Sequence, residues 1–188
     1  MRLHQVTRAE ATAPIVTAMY DYLFDDRDPV AEPGTSTGTR GDWWTVFANS
    51  PDVLEHAVNG FLLYQSPKRV LPPLLRELAQ CRVGIAAGSE FVASQHRLAL
   101  ANLGESEQRV AALSDWQGSD LFDETERHVL AFADCLALQL GSVPDEVFDP
   151  LLKALGDEAV VELTYITAMY LQQSVMSKAL RTEQDEHA

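Results

Sequence analysis

Arg76-Glu77-Leu78-Ala79-Gln80-Cys81-Arg82-Val83-Gly84-Ile85-Ala86-Ala87-Gly88-Ser89-Glu90-Phe91-Val92-Ala93-Ser94-Gln95-His96 decides the reading of this chain. A helical run ends at Ala87, Gly88 supplies the stop, and Ser89 can cap a following helix. The expectation is helix, glycine turn, helix. Glu77 and Cys81, four apart and joined by Gly84 at i+7, share one face of the first helix. Ser89, Val92 and His96 share one face of the second. Packed as an antiparallel hairpin across Gly88, the two faces meet and bring a carboxylate to an imidazole.

That pairing has chemical content. A Glu beside a His fixes the imidazole tautomer and stabilises the imidazolium, which suits a proton shuttle near neutral pH. Ser89, at a helix start, offers a hydroxyl and exposed N–H groups to an anionic ligand. Plainer readings stand beside these: Glu77 pairing with Arg76 or Arg82, His96 as a structural residue, Ser89 as an N-cap alone.

Outward from this segment the pattern stays helical. Thr7-Arg8-Ala9-Glu10 has the form of a capping box and predicts a helix carrying Ile15, Met19, Tyr22 and Leu23, stopping near Phe24. Residues 25–41, rich in Asp, Pro, Gly and Thr, read as one long loop. Trp43 to Phe47 reads as a short helical turn. Ser50-Pro51-Asp52 starts a helix to about Tyr64, and Leu71-Pro72-Pro73 opens the one that carries Glu77. Beyond Gly104 come a short helix from Ser106 to Leu113, a helix from Asp123 to Leu140, and another from Pro144 to Leu155. Gly156-Asp157 separates the last from a long helix through Leu180. The polar tail at 181–188 is expected to fray. No stretch alternates like a strand. The fold class expected is all-α, in a single domain over residues 1–188.

Composition narrows the partners. Asp and Glu number 28 against 14 Lys and Arg in 188 residues, a formal charge of −14. Such a surface repels nucleic acid and anionic lipid at long range. No apolar run approaches the roughly 18 residues of a membrane span. Met1 to Val6 lacks the apolar core of a signal peptide, so the expected location is cytoplasmic. Cys81 and Cys135 stand in apolar helical patterns and read as buried free thiols. His and Cys are not clustered as zinc ligands are, and the residues imply no cofactor.

The segment from Glu77 to His96 resembles the core motif of the carboxymuconolactone decarboxylase / alkylhydroperoxidase D-like superfamily. In its redox members a Glu precedes a Cys-x-x-Cys pair by twelve residues and a His follows the second Cys by four. Glu77 and His96 occupy those positions here, while Ser89 and Val92 replace the cysteines. Decarboxylase-like members are similar to Cys-x-Tyr-Glu-Trp-x-x-His; here Phe91 stands for the Tyr, Val92 for the Glu and Ala93 for the Trp. The resemblance runs from Gly41-Asp42-Trp43-Trp44 through Leu71-Pro72-Pro73-Leu74-Leu75-Arg76-Glu77-Leu78 to His96. It continues more loosely to about residue 180.

The resemblance implies an alkylhydroperoxidase D-like helical bundle, assembled as a homo-oligomer of trimer or hexamer type with the Glu/His pocket near a subunit interface. It also implies a small-molecule substrate and carries Glu77 and His96 over as catalytic residues. Without the cysteine pair, peroxide and disulfide chemistry is lost, because the thiolate is the nucleophile there. The expected function is therefore a cofactor-free, lyase-type acid–base enzyme for a small organic acid, lactone or carbonyl compound. Ser89, Phe91, Val92 and Trp44 are the expected substrate-binding residues, with Trp43 and Tyr170 as further candidates for an apolar wall. Two other readings remain: a non-catalytic oligomeric binding protein on the same scaffold, and a thiol-dependent peroxidase using Cys81.

Overall fold

Helix starts written into the sequence account for nearly every element. A computed structural model describes residues 1–182, so the fraying expected over 181–188 falls, from 183 onward, outside the described residues. Thr182 itself is buried, its hydroxyl 2.6 Å from that of Ser177. Among the described residues the elements are α1 (Pro14–Phe24), α2 (Asp42–Phe47), α3 (Pro51–Gln65), α4 (Pro73–Ala86), α5 (Glu90–Asn102), α6 (Glu107–Ala112), a 3-10 turn (Leu113–Gly118), α7 (Glu124–Leu138) and α8 (Asp145–Leu180). All regular structure described is helical, as expected. No helix among the described residues is long and apolar enough to cross a membrane.

One boundary departs from the sequence reading. The Thr7–Glu10 box forms, with the Thr7 N–H and hydroxyl both donating to Glu10 Oε2 at 2.8 Å, yet it closes only a single turn. Helix α1 begins at Pro14 instead, because a residue preceding proline is driven out of the α region. Ala13 accordingly sits at φ −75°, ψ 134°. The break expected at Gly156 is present as φ 78°, ψ 167°, after which helical geometry resumes at once. The span given as α8 is therefore two helices meeting at a kink at Gly156, as the sequence reading expects.

The chain divides into two compact units, Pro67–Met176 and the remainder, which comprises Met1–Ser66 and the chain from Ser177. In the latter, Trp43 stacks on Phe47 with ring centroids 4.1 Å apart, and the Tyr20 hydroxyl donates to the Val6 carbonyl at 2.7 Å. The loop over 25–41 ends at Gly41, at φ 97°. A Cβ there would stand 2.5 Å from the Phe24 ring, so both conformation and space demand glycine.

In the Pro67–Met176 unit, α4 lies at the centre, packed along α5 and α7. Arg82 ties three elements together. Its Nε donates to Asp134 on α7 at 2.5 Å and its Nη1 to the Leu113 carbonyl at 3.0 Å, while Trp116 Nε1 donates to the same Asp134 at 2.9 Å. Asp123 and Glu126 form the reciprocal capping box that starts α7. The approach to α4 is held by Glu162 of α8, whose Oε2 accepts from the Val70 and Leu71 N–H groups at 3.0 and 2.9 Å. Arg69 Nη1 lies 2.9 Å from its other oxygen.

Candidate active site

Gly84 and Gly88 set the spacing on which the site depends. Gly88 turns the chain at φ 66°, and the Ser89 N–H donates to the Gly84 carbonyl at 2.9 Å. A Cβ on Gly84 would stand 2.8 Å from the Ala93 backbone nitrogen and 2.9 Å from Val92 Cγ1. Helices α4 and α5 therefore touch backbone to backbone at that point. One to two turns away, that close approach lets Glu77 of α4 reach His96 of α5.

The two side chains meet as the sequence leads one to expect. His96 Nδ1 lies 2.7 Å from Glu77 Oε2, with both residues more than nine-tenths buried. Burial pushes the Glu77 carboxyl upward. The hydrogen bond and charge of His96, together with the Arg76 guanidinium, outweigh that push and hold it below its ordinary value. Arg76 Nε and Nη2 both stand 3.0 Å from Glu77 Oε1. An ionised carboxylate only accepts, so Nδ1 carries a proton, which in the neutral imidazole leaves the lone pair on Nε2. That Nε2 is buried and meets no hydrogen-bond partner among the described residues. The Tyr170 ring stands edge-on to the imidazole, 4.3 Å between centroids.

The other expected residues divide. Ser89 is buried and its Oγ accepts from the Val92 N–H at 3.4 Å, the position of an N-cap. Phe91 and Val92 are buried, with Val92 at the Gly84 contact. Trp44 belongs to the other unit, where it lies against Trp43 and Phe61 at 5.0 and 6.2 Å between centroids. Trp43 belongs there too, while Tyr170 is in the unit of the Glu77–His96 pair. Cys81 is fully buried with its Sγ 3.8 Å from the Ala93 carbonyl. Burial pushes that thiol up to about 12, leaving almost no thiolate at neutral pH. Among the described residues, no group of three or more His, Cys, Asp or Glu stands where it could hold a metal ion.

Sequence reasoning passed over Gln80 and Thr167, both fully buried with polar side-chain atoms that meet no partner among the described residues. The signal was available for Gln80: a glutamine one turn from Glu77 on a stripe that also carries Gly84.

Residues 52–134 match the profile of the carboxymuconolactone decarboxylase family. The fold agrees with that of the Agrobacterium tumefaciens protein ATU0492, of unknown function and named for the antioxidant defence protein AhpD. The TM-score is 0.68 at 23% identity, over 73% of this chain and 93% of that one. The chain is thus similar to this superfamily in the sequence of residues 52–134 and in its fold. The debrominase Bmp8, solved as a cysteine-to-alanine variant with 2,3,4-tribromopyrrole, shares the fold over 96% of this chain and 91% of its own, with a TM-score of 0.71 at 21% identity. The uncharacterised protein YdfG of Bacillus subtilis (strain 168) is 29% identical over 92 residues, 48% of this chain. The chain spans only 63% of the length of YdfG. Glu77 and His96, joined by a direct hydrogen bond, both lie within the matched region.

Proposed function

We propose that this chain is a cofactor-free acid–base enzyme acting on a small organic acid, lactone or carbonyl compound, with His96 as the base and Glu77 as its orienting partner. One observation carries the reading: an imidazole whose Nδ1–H is fixed on a buried carboxylate and whose Nε2 is buried without a protein partner. A base so placed is oriented for a proton that some other molecule brings. Nε2 takes a proton from a carbon next to a carbonyl, and the C–H electron pair moves into the carbon–carbon bond as the carbonyl oxygen gains charge. The imidazolium formed is balanced by Glu77, and its proton returns to the same or a neighbouring carbon. The match of residues 52–134 to the carboxymuconolactone decarboxylase family supports lyase or isomerase chemistry of this kind. The Bmp8 complex supports a small ring compound as ligand for such a scaffold.

Deuterium exchange at carbon tests it whatever the final product. Lactones and cyclic ketones incubated with the protein in heavy water are followed by proton NMR. The wild type should wash out the signal next to the carbonyl, and His96→Ala should slow that exchange by about 10²–10⁴-fold. Equal exchange by the two proteins rejects the base assignment. Ligand affinity unchanged in both Glu77→Gln and His96→Ala, with no exchange in the wild type, would favour a binding protein on this scaffold.

A further inference from the structure

Gln80 is fully buried on α4, and neither its Nε2 nor its Oε1 meets a partner among the described residues. Protein interiors seldom leave both ends of an amide unmet, because each lost hydrogen bond to water goes uncompensated. Among the other buried polar atoms in that condition are His96 Nε2 and Thr167 Oγ1. The three are tied to one place by short links. Gln80 lies one turn beyond Glu77, whose carboxylate holds His96. Thr167 lies one turn before Tyr170, whose ring meets the His96 ring edge-on. Residues three apart on a helix have Cβ atoms about 5–6 Å apart, so Gln80 and Thr167 are each rooted one helical turn from a residue that touches the imidazole. All of these residues belong to the Pro67–Met176 unit.

The charges at this place cancel. The Glu77 carboxylate faces the Arg76 guanidinium at 3.0 Å, and an imidazole in the form that can act as base, with its one proton on Nδ1, adds no charge. Nothing in that arrangement favours an anion over an uncharged molecule. A primary amide offers a donor and an acceptor side by side, and its best complement is a molecule that offers the same pair reversed.

We propose that Gln80, supported by Thr167, recognises a neutral ring carbonyl compound at His96 Nε2 by pairing with its adjacent donor and acceptor. The stable form of such a ligand is a lactam. The reactive form is the enol of a lactone, made when the proton that Nε2 takes from carbon is passed on to the charged carbonyl oxygen, which sets an O–H beside the ring oxygen. The inference rests on the acid–base reading above and narrows its substrate from organic acids, lactones and carbonyl compounds to uncharged lactones. Because the enol O–H exists only after the proton has moved, Gln80 would hold the product of that step better than its reactant. Gln80 is on this account a specificity-determining residue, and His96 remains the base.

The test uses δ-valerolactam and glutarate as probes, titrated into the full chain and followed by NMR of the His96 ring nitrogens. The wild type should bind the lactam and not the dianion, with the Nε2 resonance moving. Gln80→Leu and the isosteric Gln80→Glu should each weaken lactam binding by about tenfold or more. Gln80→Leu should also melt at a higher temperature than the wild type, since replacing an unmet buried amide by an apolar group of similar volume removes a penalty. Lactam binding absent from the wild type, unchanged in Gln80→Leu, or weaker than glutarate binding overturns the proposal. So does a lower melting temperature for Gln80→Leu, which would mark the amide as a structural partner. Carbon exchange in the His96→Ala protein separates the two levels. If exchange is lost there while lactam affinity ignores Gln80, only this inference fails; if exchange persists in His96→Ala, the acid–base reading fails.

Discussion

Glu77 serves the fold and the site through the same two oxygens. One accepts from His96 Nδ1 and the other faces Arg76, so the carboxylate is a buried charge that is paired on both sides. Removing one partner from such a group typically costs about 3–5 kcal/mol, because the remaining charges lose their compensation. Glu77→Gln should therefore be destabilised by roughly that amount at neutral pH, in chemical denaturation with unchanged m-value. The acid dependence follows from the lowered carboxyl. Its folded value lies below the ordinary 4.5, so the stability it contributes is complete above 4.5 and is lost as pH falls through the folded value. The gap between wild type and variant should hold constant from neutral pH down to about 4.5 and close below it. A gap independent of pH would mean that the carboxyl is not ionised in the native protein.

At the scale of elements, the meeting of α4 with α5 is what makes the pair possible. Gly84 is the point of contact, with backbone and side-chain atoms of α5 under 3.0 Å from where a Cβ would stand. Gly84→Ala gains helix propensity of about 1 kcal/mol, yet it places a methyl group against the Ala93 backbone, which has no rotamer with which to yield. The second effect should win. The expected result is a net loss of about 1–3 kcal/mol, together with loss of the His96 Nδ1–H signal that reports the bond to Glu77. A variant more stable than wild type with that signal intact would show that the helices adjust freely. The hairpin was legible in the sequence because its two helices, its turn and both members of the pair lie within twenty-one residues, where periodicity alone fixes the faces. Thr167 was not, since α8 reaches the site from far along the chain and nothing local announces its rotation. The start of α1 failed for the opposite reason. A capping box is a four-residue device, and it says nothing of a proline seven positions on.

For the molecule as a whole, the all-α class is plain from the sequence, since helix starts recur throughout and no segment competes as a strand. Its formal net charge of −14 bears on solubility and on what it repels, and does not select the fold. Tertiary ties between distant segments stayed hidden, and the Glu162 clamp is the clearest of them. Pro72 and Pro73 have no N–H to offer, so the approach to α4 is held through Val70 and Leu71, both of which donate to Glu162 Oε2. Those contacts span 92 and 91 residues. Closing so long a loop is entropically unfavourable until much of the chain is already in place. The clamp should thus form late, after the barrier to folding has been crossed. Glu162→Ala, which leaves two N–H groups unmet at a loss of about 1–3 kcal/mol, should speed unfolding several-fold or more and leave the refolding rate nearly unchanged. Stopped-flow refolding that slows in step with the lost stability would place the clamp in the nucleus instead. On the expected outcome, Glu162 governs how long the native protein lasts rather than how quickly it is made.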